Sequence, residues 1–309
     1  MKNPLNKRLP RELKDEIGKY LVILILLVAM ISFVSGFLVA DGSMLQAYNE
    51  SFEKYNIEDG HFRLENVMNK AQRKSIEEYG KKLYDNYYIE ETLDNGSTMR
   101  IFANREQVNK VCLMEGTMPE KADEIAVDRM YADNNNLKVG DKIGNDKQSW
   151  KITGLVALSD YSALFSNNND SMFDSVKFGV AVVAKEAFEE FSKDDLFYSY
   201  SWLYDNPPKT EKKEKDISEN LMEDISKEVT MEEYVPRYMN QAINFTGEDM
   251  GSDRAMMIVL LYMVIVIVTF VFGITISNTI SSEANVIGTL RASGYTRAEL
   301  IRHYMAMPV

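Results

Sequence analysis

Tyr20-Leu-Val-Ile-Leu-Ile-Leu-Leu-Val-Ala-Met-Ile-Ser-Phe-Val-Ser-Gly-Phe-Leu-Val-Ala40 runs for 21 residues without a charge. At about 1.5 Å per residue a helix of this length covers about 30 Å, the thickness of a bilayer core. It is apolar on every face, so it has no stripe with which to dock on a soluble core. A cleaved signal peptide, with Val34 and Gly36 at its cleavage site, is the competing reading. Its apolar run would be shorter, and no 19-residue segment of mixed charge would precede it. A second run, Ala255–Ile276, holds 22 residues and again no charge. It is rich in Val and Ile, but strands rarely exceed about ten residues, so a second spanning helix is expected.

Charge sorts what lies around these two runs. Residues 1–19 carry a net +3 and residues 277–309 a net +1, whereas residues 41–254 hold 26 Lys and Arg against 42 Asp and Glu. Basic ends inside and an acidic middle outside fit the positive-inside rule. Both ends are therefore expected in the cytoplasm and residues 41–254 outside the cell membrane. Nucleic acid is not expected as a partner of a domain carrying −16. One cysteine, Cys112, allows no internal bridge and weakly favours a bacterial surface without oxidative folding. Two histidines, His61 and His303, leave little material for metal or for His-based catalysis.

Before the first run, Leu5, Leu9, Leu13 and Ile17 recur among basic residues, which predicts an amphipathic helix over residues 1–19 lying on lipid headgroups. The middle region predicts a mixed α+β domain with its own core. Ser43–Tyr55 reads as a helical stalk and Glu65–Leu83 as a helix. Tyr87–Leu93 and Ser97–Ala103 flank Asp94-Asn95-Gly96, a hairpin signal. Glu124–Val127 reads as a strand leading into a helix at Asp128–Asp133, Leu137–Ile143 carries a Gly-Asp turn, and Trp150–Leu158 reads as a strand. Phe178–Ala184 predicts a strand, Lys185–Phe191 a short helix, and Phe197–Tyr204, alternating aromatics with serine, a further strand. Asn206–Lys215 reads as a charged connector before an amphipathic helix at Ile217–Val229. Catalytic and nucleotide motifs are missing from the sequence: no Gly-x-Ser-x-Gly, no Walker A loop, no His-Glu-x-x-His. Asn167-Asn-Asn-Asp170 lacks the spaced carboxylates of a calcium loop and reads as a polar loop. No catalytic residue, metal or cofactor is expected.

After the second run, Ile280, Glu283, Ile287, Leu290, Arg291 and Gly294 fall on one side of a helix leaving the membrane. Gly294 can take the left-handed conformation that ends it. Thr296-Arg-Ala-Glu299 then forms a capping box, starting a helix that returns. Met305-Ala-Met-Pro-Val309 reads as the start of a third span.

The stretch Glu283-x-x-x-Ile287-Gly288-x-Leu290-Arg291-x-x-Gly294-x-x-Arg297 resembles the cytoplasmic signature of FtsX/MacB-type ABC transporter permeases. Glu115-Gly-Thr-Met-Pro119, Asp123-Glu-Ile-Ala-Val127 and Leu137-Lys-Val-Gly-Asp141 are similar, in that order, to the family's extracytoplasmic core domain. Pro4-Leu-Asn-Lys-Arg8 resembles the helix that opens large two-half members. The resemblance implies a MacB-like core domain between two transmembrane helices, and a permease that does not hydrolyse ATP itself. It implies a separate cytoplasmic ATPase subunit, engaged by the corner at Ser281–Arg297, and either a second permease half or a homodimer. It also implies that ATP-driven motion is relayed to the external domain for efflux, extraction or mechanotransmission. Members carry at least four spans per half, so a two-span chain is expected to be the N-terminal part of a larger permease. A two-span sensor with an external ligand-binding domain shares the topology. It would need a long heptad-patterned helix after the second span, where this sequence has a glycine corner.

Overall fold

The computed structural model describes residue 14 and residues 17–305. The periodic leucines of the leading segment and the expected start of a third span at residues 306–309 lie outside the described residues. The described residues form two compact units, one from those up to 44 and from 250 onward, the other from Leu45–Asp249.

The first unit is helical. Helix α1 (Ile17–Lys54) runs 38 residues without a break, through the apolar run and the stalk. The second apolar run lies inside a 42-residue helix, Gln241–Ser282, whose first nine residues belong to the other unit. Both helices are long and apolar enough to cross a membrane. Their apolar side chains stand almost entirely unburied; Val22, Val266 and Phe270 are 63%, 68% and 70% exposed. In water such a surface would be an association liability, whereas lipid satisfies it. Within the apolar run of the second helix, Thr269 donates to the Ile265 carbonyl at 2.7 Å and Thr275 to that of Val271 at 2.8 Å. That suits a medium without hydrogen-bonding solvent.

The second unit holds two sheets in nested order. The chain passes β1 (Gly60–Leu64), α2 (Lys70–Glu77), β2 (Lys81–Asp85), β3 (Tyr88–Thr92), β4 (Thr98–Ala103), β5 (Val111–Gly116) and β6 (Glu124–Asp128). It continues through α3 (Arg129–Asn134), β7 (Lys142–Gly144), β8 (Ser149–Leu158), β9 (Phe178–Val183), α4 (Lys185–Glu189), β10 (Tyr198–Tyr204), α5 (Glu211–Glu228) and β11 (Met231–Pro236). The apolar helix Gln241–Ser282 is α6. The first sheet, ordered β11-β1-β10-β2, is antiparallel throughout and drawn from the two ends of the domain. The second, ordered β3-β4-β9-β6-β8-β5 with β7 on β8, is built from the segment between β2 and β10. It is mixed, β4–β9 and β6–β8 being parallel. The architecture is thus mixed α+β, with two apolar helices flanking a sheet-rich domain.

Each sheet has its own core. The central strands β6 and β9 bury nearly every side chain, as Val/Ile/Ala runs covered on both faces do. The smaller sheet packs Phe62, Tyr200 and Trp202 with Ile76 of α2 and Leu221 and Ile225 of α5. Helix α1 meets the start of α6 in this unit: Tyr48 Oη donates to the Ile243 carbonyl at 3.0 Å. A Cβ at Gly247 would lie 2.5 Å from the Tyr48 ring.

Several expectations are corrected. The helix read over Glu65–Leu83 is only α2. Asn69 starts it with a capping box to Gln72, and Gly80, at φ +77°, turns the chain so that Leu83 enters β2. The charged connector is partly helix, because Thr210 accepts from the Lys213 amide at 3.4 Å and starts α5 at Glu211. Strands β1, β5 and β11 were not foreseen. The Asn95-Gly96 hairpin does form, with Gly96 at φ +78° and Leu93 N–H bonded to the Ser97 carbonyl at 2.9 Å.

Candidate functional site

Two features carry functional chemistry. The first is the helical corner. Helix α6 ends at Ser282, Glu283 departs from helical geometry (φ −99°, ψ 13°), and α7 (Ala284–Ala292) follows. The hydrogen-bond ladder continues across the break, from Glu283 N–H to Thr279 and from Ile287 N–H to Glu283. Gly294 then sits at φ +99°. Its N–H reaches the Arg291 carbonyl at 3.1 Å and the Tyr295 N–H the Leu290 carbonyl at 3.2 Å, the paired bonds of a Schellman corner. The next helix, α8 (Arg297–Met305), starts at a complete capping box. Thr296 N–H and Oγ1 donate to Glu299 at 2.9 and 2.8 Å, and Glu299 N–H returns to Thr296 Oγ1 at 3.3 Å.

Helix α8 folds back toward the break in α6. Tyr304 Oη donates to the Glu283 carboxylate, 21 residues away, and Leu300, His303 and Tyr304 are buried. Of the residues singled out by sequence, Glu283, Ile287 and Leu290 are half-buried, whereas Gly288, Arg291, Gly294 and Arg297 are exposed. The Glu283 carboxylate is engaged within the corner by Tyr304, and Arg291 and Arg297 are outward charges of the group.

The second feature is a polar cavity of about 130 Å³ in the sheet-rich domain. Strand β1 explains its chemistry. Phe62 and Leu64 turn to the small sheet's core, and the alternate residues His61 and Arg63 line the cavity. The same alternation divides β10, with Tyr200 and Trp202 in the core and Ser199 on the cavity wall. The aromatic–serine pattern of the sequence therefore marks a strand with a dry face and a polar one.

Beside the cavity lies a buried carboxylate cluster. Glu58, 1% exposed, takes three hydrogen bonds: His61 Nδ1 at 2.6 Å, Ser201 Oγ at 2.5 Å and Asn109 Nδ2 at 2.7 Å. Asn109 holds a left-handed φ of 49° and also accepts from the Glu58 N–H at 2.8 Å. The network continues from Ser201 to Asn86 and on to Arg105, which grips Asp160 with two bonds of 2.7 Å. Arg100 holds Glu90 at 2.6 Å, Tyr161 Oη at 2.7 Å and the Ser166 carbonyl at 2.9 Å.

Electrostatics follow from this geometry. Burial pushes the Glu58 carboxyl upward, but His61, Ser201 and Asn109 outweigh it and bring it down to about 2. Burial disfavours the charged His61 ring, and the Glu58 carboxylate overcomes that and raises it. Each partner thus favours the charged form of the other. Sequence reading missed this group because its members, Glu58, Asn109 and Ser201, lie far apart in the chain. The serines of β10 were the available signal.

The loop at Asn167–Asp170 is organised. Asp170 accepts from Ser166 Oγ at 2.6 Å and Asn167 N–H at 2.9 Å, and Asn168 Oδ1 caps the start of α6 by accepting from Gln241 N–H at 2.9 Å. The cavity wall and the head of α6 thus share one loop.

No family profile matches the chain, and no curated protein matches it. Among solved structures, it is similar to the crystal structure of the periplasmic region of MacB from Actinobacillus actinomycetemcomitans. The identity is 9% and the TM-score 0.29, with 54% of this chain and 83% of that one covered.

Proposed function

We propose that the chain is a permease subunit of an ABC transporter of the FtsX/MacB type. It relays motion from a cytoplasmic ATPase to an external domain for efflux, extraction or mechanotransmission. One observation carries the reading: an apolar helix long enough to span a bilayer passes, with only one break, into a corner closed by Gly294 and bearing Arg291 and Arg297 outward. A corner closed by backbone bonds, a capping box and the Tyr304–Glu283 bond can transmit displacement. In this reading residues 20–40 and 255–276 cross the cell membrane, residues 41–254 lie outside, and the ATPase docks on the corner. ATP is hydrolysed in that partner, and a second permease half or a second copy completes the assembly. A two-span sensor accommodates the cavity equally well, but the chain turns back at Gly294 where a sensor needs a continuous signalling helix.

Half-buried Ile287 and Leu290 supply the apolar contact and Arg291 the charge at its rim. Arg291→Glu combined with Ile287→Asp is expected to abolish co-purification of the ATPase with the intact permease. Undiminished co-purification would remove the corner from the coupling role.

A further inference from the structure

The cavity in the sheet-rich domain is not spent on its own network. Three of its carboxylates are already satisfied: Glu58 by His61, Ser201 and Asn109, Glu90 by Arg100, and Asp160 by Arg105. Arg63 differs. Its Nε is buried without a hydrogen bond. It forms ion pairs with the Glu232 and Glu233 carboxylates only at 3.5 and 3.6 Å, without a hydrogen bond, and its guanidinium lies 5.4 Å from the Phe197 ring centre. A buried donor without an acceptor is costly and rare.

His61 lies two residues earlier on β1, on the same side, about 6.6 Å along the strand. Its Nδ1 is committed to Glu58, which leaves Nε2 as the ring nitrogen open to a ligand. Arg63 and, once protonated, His61 are thus two donors that border one small space. That space has room for about four waters, or for an acid of a few heavy atoms. A planar two-oxygen anion fits the guanidinium fork. A single negative charge suits a wall already holding Glu58, Glu90, Asp160 and Glu233, where a multiply charged anion would be repelled.

We propose that this cavity binds a small carboxylate, held by Arg63 and His61. The carboxylate could belong to a simple acid or to an amino acid, whose amino group would have Glu233, opposite Arg63 on β11, as its counter-charge. The inference does not depend on the permease reading, because every residue named lies within Leu45–Asp249.

The test is thermal unfolding of the full chain in detergent micelles at neutral pH and constant ionic strength, followed by tryptophan fluorescence. Both tryptophans, Trp150 and Trp202, are buried in this domain. About 0.1 M acetate or glycine, against chloride, is expected to raise the midpoint by about 2 °C or more. Response to both identifies the carboxylate alone as the recognised group, and response to glycine only identifies an amino acid. Arg63→Gln should lose the shift, while Arg129→Gln, on the exposed surface, should keep it. Should Arg63→Gln not fold, broadening of the acetate carboxyl carbon resonance by the wild-type chain, reversed by glycine, reads the same site. Equal melting in all three salts, a shift that survives Arg63→Gln, or stabilisation by phosphate or methylammonium in place of the carboxylates overturns the assignment.

Discussion

The corner at Glu283–Arg297 and the cluster around Glu58 solve opposite problems with the same kinds of residue. Apart from the Tyr304–Glu283 bond, the corner closes polar groups within a few residues of one another and leaves Arg291 and Arg297 in solvent. The cluster takes a carboxylate that is 1% exposed and satisfies it with side chains 3, 51 and 143 residues away. A locally closed element keeps its shape while its surface is free to meet another protein. A cluster closed over long range holds two sheets in register, and losing one member strands the others. The corner should therefore tolerate substitution of its outward charges without unfolding, and the cluster should not tolerate loss of its centre.

The largest effect is expected at that centre. Glu58→Ala leaves His61, Asn109 and Ser201 without their acceptor and should destabilise the sheet-rich domain by about 3–5 kcal/mol. Urea unfolding followed through Trp150 and Trp202 measures it. A loss below about 1 kcal/mol would make the cluster as dispensable as a surface pair.

Acid should act on the same pair next. Glu58 is held at about 2 against an ordinary 4.5, so its contribution is complete above the ordinary value and fades as pH falls toward the lowered one. His61 is raised, so its contribution is complete below about 6.5 and fades as pH rises through the raised value. The pair should thus stabilise the domain most between about 4.5 and 6.5, with a loss of roughly 3 kcal/mol on the acid side. Urea midpoints across pH check this, and the acid loss should shrink in His61→Gln.

The smallest effect is expected at the corner. A Cβ at Gly294 would meet no atom within 4 Å, so Gly294→Ala should cost only the strain of φ +99°, roughly 1–2 kcal/mol. It should appear as faster amide exchange in α8, with the tryptophan-monitored domain unchanged.

The same contrast explains what could be read in advance. Gly294, then Thr296 and Glu299 three residues apart, form a code confined to six positions, and Asn95-Gly96 is shorter still. The apolar runs needed only length. By contrast β1 is only five residues long, so its alternation of His61 and Arg63 with Phe62 and Leu64 is too short to stand out. Lys212, Lys213 and Lys215 looked like a linker because they are exposed on α5, whose fully buried side is marked only by Ser218, Leu221 and Ile225. The end of α2 was missed because Asn69 and Gln72 cap a helix that Gly80 cuts short. The engagement of Glu283 by Tyr304 was invisible for the reason that hid the cluster: its partner comes from another element.

The most direct test of the account concerns sidedness. In a Cys112→Ser background, Asp146→Cys places a thiol on the sheet-rich domain and Ser293→Cys one at the corner, both at exposed positions. A membrane-impermeant maleimide applied to intact cells should label the thiol at 146 and spare the one at 293 until the cells are opened. Equal labelling of both in intact cells would place head and corner on one side of the bilayer and contradict the relay.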